Sequence, residues 1–142
     1  MDLLYQSADD CANSYIDTAS NYYLIRLQKK VNETDYKAAY SAVLESAKNK
    51  SYNKIVLSMK DNEASPLSVS FSARSWFASY FSPKFYEMAE KNVTAAIVKP
   101  KTKFQNNMVN VIKGVIDKAS IEIRVEYFDN EDEAREWIKN LI

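Results

Sequence analysis

The segment Lys54-Ile55-Val56-Leu57-Ser58-Met59-Lys60 limits what this chain can fold into more than any other stretch. Its apolar run is too short for a helix and is entered from polar residues, so it reads as a strand buried on both faces. Strands of that kind belong to parallel sheets covered by helices. An aromatic segment, Phe71 to Met88, follows directly.

The flanking segments alternate as such a sheet requires. Leu3 to Gln6 reads as a short edge strand. Ala12, Ser14, Ile16 and Thr18 then fall on one side of the chain and Asn13, Tyr15 and Asp17 on the other, a period of two that predicts a strand over 13–18 with one wetter face. Ala19-Ser20-Asn21 turns the chain into a second strand, Tyr22 to Gln28, so an antiparallel hairpin opens the fold. Asn32 and Asp35 make an N-cap pair for a helix in which Tyr36, Ala39, Tyr40, Val43, Leu44 and Ala47 form one stripe, with Lys37, Glu45 and Lys48 outside it. That helix should end near Asn49 to Asn53.

Beyond the central strand, Asp61 to Pro66 reads as a loop, and Ala73, Trp76, Phe77, Tyr80 and Phe81 return to helical spacing. Ser82-Pro83 interrupts them. Proline lacks the donor a helix interior needs, whereas serine before proline suits an N-cap and first turn, so a kink or a fresh start is expected there, with helix on to Glu90. Thr94 to Val98 is the next strand, and Phe104, Met108, Val111, Ile112, Val115, Ile116 and Ala119 mark an amphipathic helix. Ile121 to Phe128 is a strand, and Asp129 is expected to cap a last helix that turns Ala134, Trp137, Ile138 and Leu141 inward. The expected architecture is α/β: an N-terminal antiparallel hairpin followed by alternating helices and mainly parallel strands in one layered domain over residues 1–142. Right-handed crossovers put helices on both faces.

Several classes of function fall away on composition. The chain has no His, which removes the commonest general base and metal ligand. It has one Gly, Gly114, so glycine-rich phosphate loops are excluded. Nineteen basic residues balance nineteen acidic ones, leaving no overall field to draw the chain to nucleic acid or an anionic membrane. No window is apolar for the roughly 18 residues a membrane helix needs. Cys11 is the single cysteine, so no intrachain disulfide forms; with a start that lacks a secretory pattern, a cytoplasmic setting is expected. No cofactor is implied.

The hairpin, the Tyr36 to Ala47 helix, the Ile55 to Met59 strand, the break at Pro83 before Val93 to Val98, and the ending Tyr127-Phe128-Asp129-Asn130-Glu131-Asp132-Glu133-Ala134-Arg135-Glu136-Trp137-Ile138 together resemble the SpoIIAA-like proteins of the STAS/SEC14 superfamily. The resemblance runs from about Ala12 to the C-terminus. It implies a SpoIIAA-like fold and, as for many bacterial members, no assigned activity. Anti-sigma-factor antagonists of this fold are switched by phosphorylation of a serine within an Asp-Ser-Ser-Gly type motif after the third strand. This chain has Ser68-Val69-Ser70-Phe71-Ser72 there, without the preceding Asp or the following Gly, so no phosphorylated serine is assigned.

Three local features bear on function. Trp76, Phe77, Tyr80, Phe81, Phe85 and Tyr86 cover a wider arc than the roughly 100° stripe of a core-facing helix, so some rings should lie outside the core as a homodimer face or an apolar ligand groove, unless the Pro83 break turns all of them inward. Lys60, Lys99, Lys101 and Lys103 belong to the carboxyl edge of the sheet, where a small anion or acidic partner would bind, although a solvated basic loop is the commoner use of such residues. The acidic run Asp129 to Glu136 suits a helix N-terminus. Asp61 and Glu63 lack a third metal ligand, and nothing beside Cys11 in sequence activates its thiol. The expectation is a non-catalytic interaction module, regulatory and self-associating as a homodimer or bound to a protein partner. The alternative is a carrier of a small apolar or lipid-like ligand, which requires a cavity beneath the aromatic helix.

Overall fold

A computed structural model of the chain describes residues 1–59, 71–99 and 123–141. Six strands form one sheet in sequence order: β1 (Asp2–Gln6), β2 (Ala12–Asp17), β3 (Tyr22–Leu27), β4 (Lys54–Ser58), β5 (Val93–Val98) and β6 (Ile123–Phe128). The β1/β2 and β2/β3 pairs are antiparallel, and β3 through β6 pair in parallel. β4 lies between β3 and β5 with Ile55, Val56 and Leu57 buried, as its unbroken apolar run requires of a strand covered on both faces.

Helix α1 (Glu33–Ala47) buries Tyr36, Ala39, Tyr40, Val43, Leu44 and Ala47 against one side of the sheet. Asn32 caps it: the backbone is extended at Asn32, and its Oδ1 accepts the Asp35 N–H at 2.8 Å. The next helical stretch runs through α2 (Phe71–Trp76), a π-helical turn at Phe77–Phe81 and α3 (Ser82–Met88), on the same side of the sheet. Helix α4 (Glu131–Lys139) covers the other side, burying Ala134 and Ile138 over Tyr22, Leu24, Val56, Ala96 and Val98. Helices thus stand on both faces.

Two expectations about helix ends are corrected, the end at Glu90 and the cap at Asp129. The break expected at Ser82-Pro83 is present, as a change from a π turn to α3 without loss of the helical path. Ser82 is itself helical, with its N–H bonded to the Phe77 carbonyl five residues back. The wider π turn takes up Pro83, whose ring would clash with the carbonyl four residues earlier in a regular α-helix. The stretch ends at Met88, and Glu90 and Lys91 turn the chain with positive φ. The last helix is capped by Asn130, not Asp129. Asn130 is extended and its Oδ1 accepts the Glu133 N–H at 2.8 Å, whereas Asp129 lies one residue outside and pairs with Lys99. The helix expected over Phe104 to Ala119, the loop Asp61 to Pro66, and Ser65 to Ser70 fall outside the described residues.

Candidate functional site

The rings on the α2–α3 stretch divide into two sets by helical phase. Phe77, Phe81 and Phe85 are buried and stack in series, 5.4 Å and 5.6 Å apart, with Phe81 edge-on to Tyr40 of α1 at 4.6 Å and Phe85 edge-on to Tyr23 of β3 at 6.0 Å. They are core residues, which corrects the expectation that these three could form an exposed face. Burial also pushes the Tyr36 and Tyr40 hydroxyls far above the ordinary phenol range, so neither ionises near neutrality. The cavity under this helix, lined by Ile55, Leu57, Phe77, Phe81, Phe85 and Ile97 among others, holds about 30 Å³. That is the space of one water molecule.

Trp76 and Tyr80 form the second set. They stack at 5.4 Å with planes 23° apart, and Tyr80 is 45% exposed, the one aromatic ring among the large exposed hydrophobics of the described residues. Trp76 is anchored below by edge contacts to Tyr36 and Tyr40. Lys84 lies over the Tyr80 ring, 4.9 Å from its centroid. Across from them, Lys48 at the C-terminal cap of α1 pairs with Glu45 at 2.9 Å. Leu44, Glu45 and Lys48 of α1 and Tyr80, Lys84 and Met88 line a surface groove of about 230 Å³. Tyr86 is half-buried and packs against the core.

At the carboxyl edge of the parallel strands, the structure shows a polar cluster that the lysine pattern did not reveal. Asn13, Arg26, Ser58, Val98 and Phe128 form one cross-strand row on the α4 side. Arg26 donates from Nε and Nη2 to both carboxylate oxygens of Glu131, at 2.9 Å and 2.7 Å, and lies over the Tyr15 ring. Arg135 approaches the same carboxylate at 3.9 Å and donates from Nε to the Tyr22 hydroxyl at 2.9 Å. Burial works against the charge on Glu131, but the Arg26 hydrogen bonds and the charges of Arg26 and Arg135 outweigh it and hold the carboxyl below its usual range. Lys99 pairs with Asp129 at 3.2 Å. Lys60, Lys101 and Lys103 lie outside the described residues. In the described part of this edge, Arg26 and Lys99 are thus each paired with an acid. The signal in the sequence was Arg26, a charge set among the apolar residues of β3.

Near β1, oxygen or sulfur atoms of Asp9, Cys11 and Asp35 come within 4.8 Å of one another, a possible donor set for a cation. Each is already engaged. The Asp35 carboxylate accepts from Tyr5 at 2.6 Å, raising that phenol to about 12, chiefly through this hydrogen bond, and Asp9 accepts from Ser7 and the Cys11 N–H. Cys11 is buried, and burial raises its thiol above the ordinary value, the reverse of what a nucleophile needs.

A mixed six-stranded sheet with helices on both faces, an aromatic core under one of them and an open groove beside its outermost ring define a layered α/β domain of the STAS type. The chain belongs to the SpoIIAA-like family, whose model matches residues 23–139. Its structure is similar to that of an uncharacterised protein from the DUF3478 family with a SpoIIAA-like fold from Shewanella loihica PV-4. The TM-score is 0.57 at 15% identity, over 89% of this chain and 91% of that one. No curated protein matches the chain.

Proposed function

We propose that this chain is a non-catalytic, regulatory interaction module, one SpoIIAA-like domain over residues 1–142, that binds a protein partner through Trp76, Tyr80 and the groove beside them. Membership of a family whose domains in general mediate protein contacts rather than catalysis supports this. The observation that carries it is the Trp76–Tyr80 stack: a ring pair held rigid from below by Tyr36 and Tyr40, yet open to solvent at Tyr80. Such a pair loses little side-chain freedom on binding, and aromatic anchors of this kind dominate interface energies. Self-association is a second use of the same surface, since two copies meeting at Tyr80 would cover both rings in a homodimer. An apolar ligand finds little support, because the cavity of about 30 Å³ is far below the roughly 300 Å³ of a small-molecule pocket. A cytoplasmic setting fits Cys11, a free thiol, and no helix among the described residues is long and apolar enough to cross a membrane.

Light scattering after size exclusion, with native mass spectrometry of freshly purified protein, tests the reading. The expected result is a chain without a small-molecule adduct; a dimer that becomes monomeric in Tyr80→Ala at unchanged fold would assign the surface to self-association instead. A wild-type protein that stays monomeric at every concentration rules out self-association, and a copurified small molecule would favour the carrier instead.

A further inference from the structure

We infer that the groove between α1 and α3 takes an acidic segment of a different protein, an apolar anchor side chain flanked by Asp or Glu. The inference rests on the interaction surface proposed above and names the chemistry of its partner. Met88 and the exposed part of Tyr80 give the otherwise polar groove a small apolar surface, and Lys48 and Lys84 flank it from the two helices. At about 230 Å³ it has room for one or two side chains, not for a folded element. Glu45 is the single acid among its lining residues and pairs with Lys48 at the rim, where both side chains are more than half exposed. Rim ion pairs of this kind are weak and exchange readily, so a partner carboxylate reaching Lys48 displaces little. Lys84 rests on a ring instead of an acid, so its ammonium is placed for an incoming carboxylate.

Charge also separates the candidate occupants. A two-fold pairing of copies about Tyr80 sets Lys48 and Lys84 of one molecule towards those of the other, which opposes closure. The chain has acids of its own on α4, where Asp132, Glu133 and Glu136 are exposed, but α4 is on the far side of the sheet from α1 and α3. Contact between that helix and the groove of another copy is therefore head to tail and does not close a dimer. A separate protein with an acidic, anchor-bearing segment is the occupant that the walls and the lysines both fit.

The test is selection of a random peptide library on the immobilised full chain, followed by affinity measurement of the winning peptides against wild type, Tyr80→Ala and the double variant Lys48→Glu/Lys84→Glu. The substituted side chains are exposed, and far-ultraviolet circular dichroism checks that each variant folds. Winners should pair an aromatic or aliphatic residue with adjacent Asp or Glu, and should lose about tenfold or more in affinity on either change. Winners without acids, winners that bind the charge-reversed variant equally well, or a selection that yields no binder overturn the inference. If affinity falls with Tyr80→Ala alone, the acidic partner is wrong while the interaction surface stands. If winners ignore all three substitutions, both fail.

Discussion

The α1 side of the sheet is filled by a continuous row of rings, whereas the α4 side combines a smaller apolar cluster with ion pairs. On the first side Tyr23, Tyr36, Tyr40, Phe77, Phe81 and Phe85 meet edge-on or stacked, and contacts of this kind need no water and no charge. On the second, Ala134 and Ile138 are the buried residues of α4, Trp137 packs against Phe128 at 5.5 Å, and polar contacts add to these: Arg26 with Glu131, Arg135 with Tyr22, and Lys54 with the Leu141 carbonyl at 3.2 Å. The contrast separates the two means by which a helix is fixed to a sheet. Ring packing resists change through volume, and a charged clamp resists it through the cost of stranding a partner.

The largest effect should come from breaking the ring side. Phe81→Ala removes the ring that touches Tyr40, Phe77 and Phe85, and an expected loss of about 3–5 kcal/mol would appear in urea unfolding. A loss under about 1 kcal/mol would mean that the row of rings collapses around the gap and is not tightly packed.

A smaller effect is expected on the clamp side. Arg26→Ala leaves the Glu131 carboxylate without its two strongest donors, but the pair is partly solvated, at 31% and 19% exposure, so about 1–3 kcal/mol is expected, below the range for a fully buried pair. A double-mutant cycle with Glu131→Gln isolates the coupling, and additive losses would show that Arg26 and Glu131 act separately.

The smallest and most selective difference is in pH. Because the folded Glu131 carboxyl lies below its ordinary value near 4.5, the unfolded chain takes up its proton first as pH falls. Its stabilising contribution is complete above the unfolded value and is lost as pH drops through the folded one. The stability gap between wild type and Glu131→Gln should therefore be level near neutrality and shrink below about pH 4.5. The gap between wild type and Phe81→Ala should show no such step. A common pH dependence for both would erase the distinction between the two sides.

Much of this contrast was legible in residue spacing and some of it was not. The stripe Tyr36, Ala39, Tyr40, Val43, Leu44 and Ala47 is the buried face of α1, because a helix that packs on one sheet must show its contact residues at helical spacing. The aromatic helix defeated the same reasoning in part. Its arc of rings was too wide for one face, and although Phe77, Phe81 and Phe85 stand four apart and share a face, spacing alone did not say that this face, not that of Trp76 and Tyr80, meets the core, nor that a π turn at Phe77–Phe81 leads into Pro83. The Arg26–Glu131 clamp joins residues 105 apart, and no local pattern carries a contact of that range.

The order of segments in the chain by itself determined the sheet, its hairpin and the interior place of β4, since each follows from local periodicity and from the short run of apolar residues between Lys54 and Lys60. Only the tertiary structure decided which rings are core and which are surface, and which acid meets Arg26. Those outcomes depend on the rotation of one element against another, a quantity that side-chain packing sets after the elements have met and that no stretch of sequence encodes alone.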